Sequence, residues 1–216
     1  AGLLTALLGG IYSSTVTTVV LARRARDMPE ARVEAQSGIV LANSVMYLRL
    51  LAIVALFDRP LAGRLALPLI ALSALGLALA GFGFRRAGTA ARRPGPPPAN
   101  PLGFGAAASF AILFVIVSLA AAFVARRFGA GGLMLLAAAV GLTDINPFVL
   151  SLAQHGAEAM PLGAQAGAVV LATASNNLFQ AGYAAGLSRL RVGWAPLAGL
   201  GLLAASGIGF TIWLAV

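Results

Sequence analysis

One carboxylate stands in the middle of an apolar run. Asp144 lies within Gly141–Pro147, a polar break in the run from Gly131 to Ala153. A charged side chain at mid-depth of a bilayer costs roughly 2.5 to 3.5 kcal/mol on insertion scales, so a membrane chain that keeps one there has a use for it. A carboxylate in that place can coordinate a cation or carry a proton. We therefore predict Asp144 as a metal or ion ligand.

The same break predicts an interrupted helix. Asn146 is a good helix cap, and Pro147, which lacks an N–H group, suits the first position of the helix that follows. This half-helix would begin inside the membrane, with its unpaired N–H groups and the positive end of its dipole aimed at the break. Unwound segments of this kind hold solutes in several transporter folds.

The break has a counterpart near the start of the chain. Residues 10–22 align with residues 141–153, a shift of 131 positions, and the same shift continues into the next apolar run of each half. We interpret this as an internal duplication. The polar pairs that the shift makes are Ser13 with Asp144, Thr15 with Asn146, Ser44 with Ser175, and Arg49 with Gln180.

Polar side chains recur at helical spacing in the other apolar runs. Asn176, Gln180 and Tyr183 have i, i+4, i+7 spacing, and Ser14 and Thr18 belong to a hydroxyl-rich face of the first run. Such faces either line a solute path or join helices by hydrogen bonds worth about 0.6 to 2 kcal/mol each. Together with Asp144, the residues predicted to bind the solute are Ser13, Ser14, Thr15, Asn43, Arg49, Asn146, Asn176, Asn177 and Gln180.

Arg49 lies deeper in its run than an arginine at a helix end would. Its long side chain can snorkel toward the boundary marked by Asp58 and Arg59. Alternatively it pairs with Asp144. The sequence leaves both interpretations open.

The composition defines a membrane protein. Hydrophobic residues make up 60% of the 216 residues, charged residues make up 10%, and the mean hydropathy is +0.93. There is no cysteine and only one histidine, which excludes disulfides, thiolate metal sites and histidine clusters, and no cofactor is predicted. The formal charge of +9 comes from arginines that lie mostly between the apolar runs, so the expected partner is the lipid bilayer and not nucleic acid.

The order of the apolar runs predicts an all-α polytopic membrane protein with about seven transmembrane helices. Residues 1–84 form a first three-helix repeat, 85–103 an Arg/Pro-rich polar linker, 104–127 a connecting transmembrane helix and 128–216 a second three-helix repeat. An odd number of helices between equivalent segments makes the two repeats parallel, in a 3+1+3 arrangement. The runs cover residues 1–22, 38–57, 65–84, 104–124, 131–153, 162–187 and 192–216.

Four stretches also resemble a known family. They are residues 9–18, 41–49, 141–146 and 174–178. These motifs resemble the integral membrane domain of unknown function that forms the C-terminal half of MgtC/SapB-type bacterial membrane proteins. The resemblance implies a helical membrane fold and an MgtC-like membrane domain as a candidate partner. That family often has a basic residue where this chain has Gln180.

These features favour a membrane transporter or channel for a small ion or polar solute, in the bacterial inner membrane. Its site would lie at mid-membrane between the two repeats. Because of Asp144, a cation is preferred over an anion, with magnesium among the candidates, although Arg49 and the helix N-termini would also suit an anion.

The alternative is a non-transporting membrane module that binds or regulates another membrane protein, such as an MgtC-like domain or a second copy of the chain. A transporter needs polar residues of both repeats to converge on a hydrated cavity, whereas a scaffold satisfies them pairwise in a closed bundle. An enzyme is not predicted, because the sequence carries no HExxH, GxSxG or paired-carboxylate motif.

Overall fold

The computed structural model describes residues 6–7, 13–87, 104–155 and 160–215. The regular structure of these residues is entirely helical, which confirms the predicted class. Most of the predicted linker, residues 88–103, lies outside the described residues. The helices are α1 (Ser14–Asp27), α2 (Arg32–Phe57), α3 (Arg59–Ala87), α4 (Phe104–Val140), α5 (Asn146–His155), α6 (Leu162–Leu187) and α7 (Trp194–Ala215), with a 3₁₀ turn at Pro29–Ala31.

Four helical segments among the described residues are long and apolar enough to cross a membrane. By length and composition they are Pro29–Phe57, Arg59–Arg86, Phe114–Val140 and Trp194–Leu214. Helix α6 has 26 residues but is not one of the four, because its amide and hydroxyl side chains lower its hydropathy. The number of seven spans stays a prediction.

Two positions interrupt the helical run from residue 104 to residue 155. Gly129 has φ 60° and ψ −149°, a conformation that essentially only glycine adopts, and it divides α4 into the stretches 104–128 and 130–140. The chain then leaves the helix after Val140 and re-enters one at Asn146. The predicted break near Asp144 is therefore present, and α5 packs against α4.

The helices divide into two compact units. Within the described ranges, the first unit contains residues 6–7, 13–49, 71–87 and 177–203. The second contains residues 50–70, 104–155, 160–176 and 204–215. Each of the long helices α2, α3, α6 and α7 contributes to both units.

Close contacts at small residues join the helices inside each unit. In the first unit α3 packs on α2 with Gly76 against Ser44, and Ser73 Oγ donates to the carbonyl oxygen of Ser44 at 2.9 Å. In the second unit α7 packs on α6 with Gly207 against Ala174. Gly76 and Gly207 are 131 positions apart. The shift found in the sequence thus continues into the third helix of each half, at glycines that let two helices approach closely.

Candidate functional site

A cluster of neutral polar side chains is buried in the first unit. It combines hydroxyls from α1, a tyrosine and an amide from α2, and two amides from α6. All six side chains are at most 4% exposed, and we call them the amide–hydroxyl cluster. Its members are Ser14, Thr18, Asn43, Tyr47, Asn177 and Gln180.

Gln180 is the centre of this cluster. Its Oε1 accepts hydrogen bonds from Thr18 Oγ1 at 2.6 Å and from Asn43 Nδ2 at 2.8 Å. Its Nε2 donates to Ser14 Oγ at 2.9 Å. Both acceptor sites of the amide oxygen are therefore used. One buried side chain of α6 therefore bonds to side chains of both α1 and α2.

The contacts between α2 and α6 define the relative direction of these helices. Asn43 bonds to Gln180, and Tyr47, one turn further along α2, accepts a hydrogen bond from Asn177 Nδ2 at 2.5 Å. Higher residue numbers on α2 thus contact lower residue numbers on α6. The two segments run antiparallel, whereas parallel repeats would require the same direction.

Two oxygens of the cluster have no hydrogen-bond partner among the described residues. They are Asn43 Oδ1 and Asn177 Oδ1, both on side chains that are 0% exposed. The orientation of the Asn43 amide is fixed because its Nδ2 also donates to the carbonyl oxygen of Ile39, which can only accept. A buried polar atom without a partner costs about 1 to 3 kcal/mol, so these two oxygens call for an explanation.

The second unit contains the helix break and the side chains that close it. Ser175 Oγ donates to the carbonyl oxygen of Ala138 at 2.6 Å, and Asn176 Nδ2 donates to that of Gly141 at 3.1 Å. These bonds satisfy carbonyls that lose their helical partners where α4 ends. A Cβ on Gly141 would lie 2.7 Å from the backbone nitrogen of Asn176, so only glycine fits.

Asp144 lies exposed at the start of α5. Its Oδ1 accepts hydrogen bonds from the backbone nitrogen of Asn146, at 3.0 Å, and from the side-chain nitrogen of the same residue. The prediction that Asn146 caps this helix is wrong, because Asn146 is the first helical residue and Asp144 supplies the acceptor. At the equivalent position before α1, Ser13 Oγ accepts from the nitrogen of Val16 at 3.3 Å. Each of the two aligned residues thus accepts a backbone N–H at the start of the helix that follows it.

The predicted site residues thus fall into three groups. Ser14, Asn43, Asn177 and Gln180 meet in the amide–hydroxyl cluster, while Asp144, Asn146 and Asn176 surround the break in the other unit. The remaining three lie elsewhere: Ser13 caps α1, Thr15 is half-buried on α1, and Arg49 is half-buried on α2. A pair between Arg49 and Asp144, and a metal ion on Asp144, stay predictions.

Two members of the cluster were not among the predicted site residues. Thr18 is one helical turn after Ser14, and Tyr47 is one turn after Asn43. Helical spacing from the chosen residues would have found both.

The fold and the cluster define a class: a helical membrane protein with a buried, uncharged polar cluster. Residues 1–188 match the family described as "Domain of unknown function (DUF4010)", and the chain belongs to that family. A relative from Aquifex aeolicus (strain VF5), named "Uncharacterized protein", is 28% identical over 189 residues, which cover 84% of this chain and 80% of the relative. No solved structure matches the chain.

Proposed function

We propose that this protein is a membrane transporter or channel for a small ion or polar solute, and that the amide–hydroxyl cluster is its binding site. One observation carries the proposal. Asn43 and Asn177 each keep a fully buried amide oxygen without a hydrogen-bond partner among the described residues. A purely structural network would gain stability by satisfying or removing them. A binding site keeps such oxygens for its ligand.

The chemistry of the cluster suits a solute that loses its water. Selectivity filters and transporter sites replace a hydration shell with neutral oxygens from carbonyls, amides and hydroxyls. The cluster offers oxygens of these kinds from three helices. Those helices belong to both of the repeats inferred from the sequence, since α1 and α2 come from the first and α6 from the second.

We also propose that the repeats are inverted and not parallel. The antiparallel direction of α2 and α6 supports this, since the two helices occupy equivalent places in the duplicated sequence. The reversal arises if the half-helix α5 turns back on α4, against which it packs. The broken run then does not carry the chain across the bilayer. Inverted repeats with interrupted helices are a common plan of secondary transporters.

A second candidate is a module that regulates another membrane protein, such as an MgtC-like domain or a second copy of this chain. The closed state of the cluster favours it. Gln180 has both acceptor sites of its oxygen occupied, and five of the six side chains are 0% exposed. In this view the cluster only joins the helices by hydrogen bonds, and the two unpaired oxygens lower the stability of the protein without binding a ligand.

Flux into proteoliposomes separates the two candidates. Wild-type protein would be tested with Na⁺, K⁺, Mg²⁺, protons and small neutral solutes, beside Thr18→Val and the control Thr173→Val. Both threonines are 0% exposed, but Thr18 donates to Gln180 while Thr173 donates to a carbonyl of its own helix. A transporter shows flux that changes in Thr18→Val and not in Thr173→Val. If correctly inserted wild-type protein passes no solute, transport is excluded and the regulatory module is the better assignment.

A further inference from the structure

We infer that the amide–hydroxyl cluster binds a dehydrated monovalent cation of the Na⁺ or K⁺ class, with Asn43 Oδ1 and Asn177 Oδ1 as ligands. This inference rests on the proposed function, because it names the substrate class of the same site. It replaces Asp144 by two neutral amides as the cation ligands. Three properties of the cluster lead to it. Its unpaired polar atoms are hydrogen-bond acceptors, its members are uncharged, and its side chains are buried.

The unpaired polar atoms of the cluster are hydrogen-bond acceptors. Both N–H groups of the Asn43 amide are engaged, one with the carbonyl oxygen of Ile39 at 3.0 Å and the other with Gln180 Oε1 at 2.8 Å. The amide oxygen of the same side chain is buried without a partner. An anion would need free donors at this place, whereas a cation needs free oxygens. The site therefore selects for positive charge.

The neutral ligands indicate that the bound ion carries a single positive charge. All six members of the cluster are uncharged. On α2 the flanking charged residues are Arg49, six positions after Asn43 and about 9 Å along the helix, and Glu34, nine positions before it and about 13 Å away. Glu34 is in turn paired with Arg24, 3.6 Å away. Mg²⁺ sites use carboxylates and retain several waters. Neutral oxygens in a dry interior suit an ion of single charge.

Tyr47 gives the site a way to respond to the ion. Its hydroxyl oxygen accepts from Asn177 Nδ2, so it is held beside one of the two unpaired amides. A cation on Asn177 Oδ1 polarises that amide and strengthens the bond to Tyr47. Binding on α6 is thereby coupled to α2.

The test is direct ion binding to the purified full-length protein in detergent. The radioactive probes are ²²Na⁺ and ⁸⁶Rb⁺, the latter standing in for K⁺, with N-methylglucamine chloride keeping the ionic strength constant. The comparison uses Asn177→Ala and its neighbour Asn176→Ala. Both asparagines are at most 3% exposed on the same helix, but Asn176 donates to the Gly141 carbonyl in the other unit. We expect Asn177→Ala to weaken binding by about tenfold or more and Asn176→Ala to change it by less than about twofold.

A third variant covers the case in which Asn177→Ala does not fold. In Asn177→Asp the carboxylate can accept a hydrogen bond from the Tyr47 hydroxyl, and its negative charge strengthens cation binding. We expect a higher affinity for the ion that the wild type binds. The inference is overturned if wild-type protein binds neither probe, since water would then be the partner of the two oxygens. It is also overturned if Asn177→Asp binds no more tightly than the wild type.

The binding experiment and the flux experiment can each refute one proposal without refuting the other. Saturable cation binding that depends on Asn177, without flux of any solute, supports the site and excludes transport. Flux of a neutral solute or an anion without cation binding supports transport and overturns the cation site. The two proposals can therefore be judged separately.

Discussion

Asn43 on α2 and Gln180 on α6 are joined by a hydrogen bond of 2.8 Å, although they lie 137 positions apart in the chain. Gln180 Oε1 also accepts from Thr18, so this bond is part of a junction of three helices. Amide side chains in such a place specify one alignment of the helices, because any shift would leave buried donors and acceptors unpaired. The junction therefore sets both the geometry of the cluster and the direction of α6.

Removing the centre of the junction should destabilise the protein. In Gln180→Ala, Asn43 and Thr18 lose their acceptor in a region that water does not reach. We expect the free energy of unfolding to fall by about 2 kcal/mol, within the range for buried polar groups left unpaired. Reversible SDS unfolding in mixed micelles measures this. Gln154→Ala, at an exposed position of α5, serves as the control and should change it by less than about 0.5 kcal/mol. Equal stability of the two variants would contradict the role of Gln180.

A methyl group at Gly141 should disturb the helix break. Its Cβ would collide with Ser175 Oγ and lie 2.7 Å from the backbone nitrogen of Asn176, and the backbone cannot rotate away. We expect Gly141→Ala to lower the free energy of unfolding by about 1 to 3 kcal/mol. Gly131→Ala, ten positions earlier and inside α4, has no atom within 4 Å of the added methyl and is the matched control. It should be neutral or slightly stabilising, because alanine is the better helix former.

Substitutions of Asp144 distinguish a helix cap from a metal ligand. A cap needs a side-chain acceptor, so Asp144→Asn should retain stability and Asp144→Ala should lose about 1 kcal/mol. Neither variant should reduce flux, because Asp144 is exposed at the start of α5 and does not belong to the amide–hydroxyl cluster. A metal ligand would behave differently: both variants would lose flux. Flux measured beside thermal stability therefore decides between the two roles.

The inverted arrangement predicts the membrane faces of two loops. If α2 and α6 cross the bilayer in opposite directions, the loops that follow them lie on opposite sides. The chain has no cysteine, so Arg59→Cys and Arg189→Cys each introduce a single thiol at an exposed position. A membrane-impermeant maleimide applied to sealed right-side-out vesicles should label one variant, and the other only after permeabilisation. Labelling of both variants from the same side would support parallel repeats.

Local features of the fold could be predicted from the sequence. The run predicted at residues 162–187 coincides with α6, and the break was placed correctly because proline and polar residues interrupt an apolar run at Gly141–Pro147. Helix ends depend on nearby residues, so a local pattern suffices to find them. The cap on α5 was misplaced by two residues because Asp and Asn are both good capping residues and occur together there.

The direction of α6 and the membership of the cluster depend on contacts that are distant in sequence. Counting apolar runs assigns one crossing to each run, and it does not reveal whether α5 continues α4 or packs against it. Helical spacing places Asn177 and Gln180 on one surface of α6, but it does not identify Asn43 and Tyr47 as their partners on α2. Pairing of this kind depends on tertiary packing, which spacing along one helix does not reveal.

The low hydropathy of α6 has a consequence for biogenesis. A helix with several amides is a poor substrate for insertion by itself, because each amide must leave water before it has a partner. Tyr47 is synthesised 130 residues before its partner Asn177, so α2 is inserted long before the cluster can be completed. The incomplete helix pair has to keep its polar face accessible until α6 leaves the ribosome. A chain truncated before residue 177 is thus expected to be a substrate for membrane quality control.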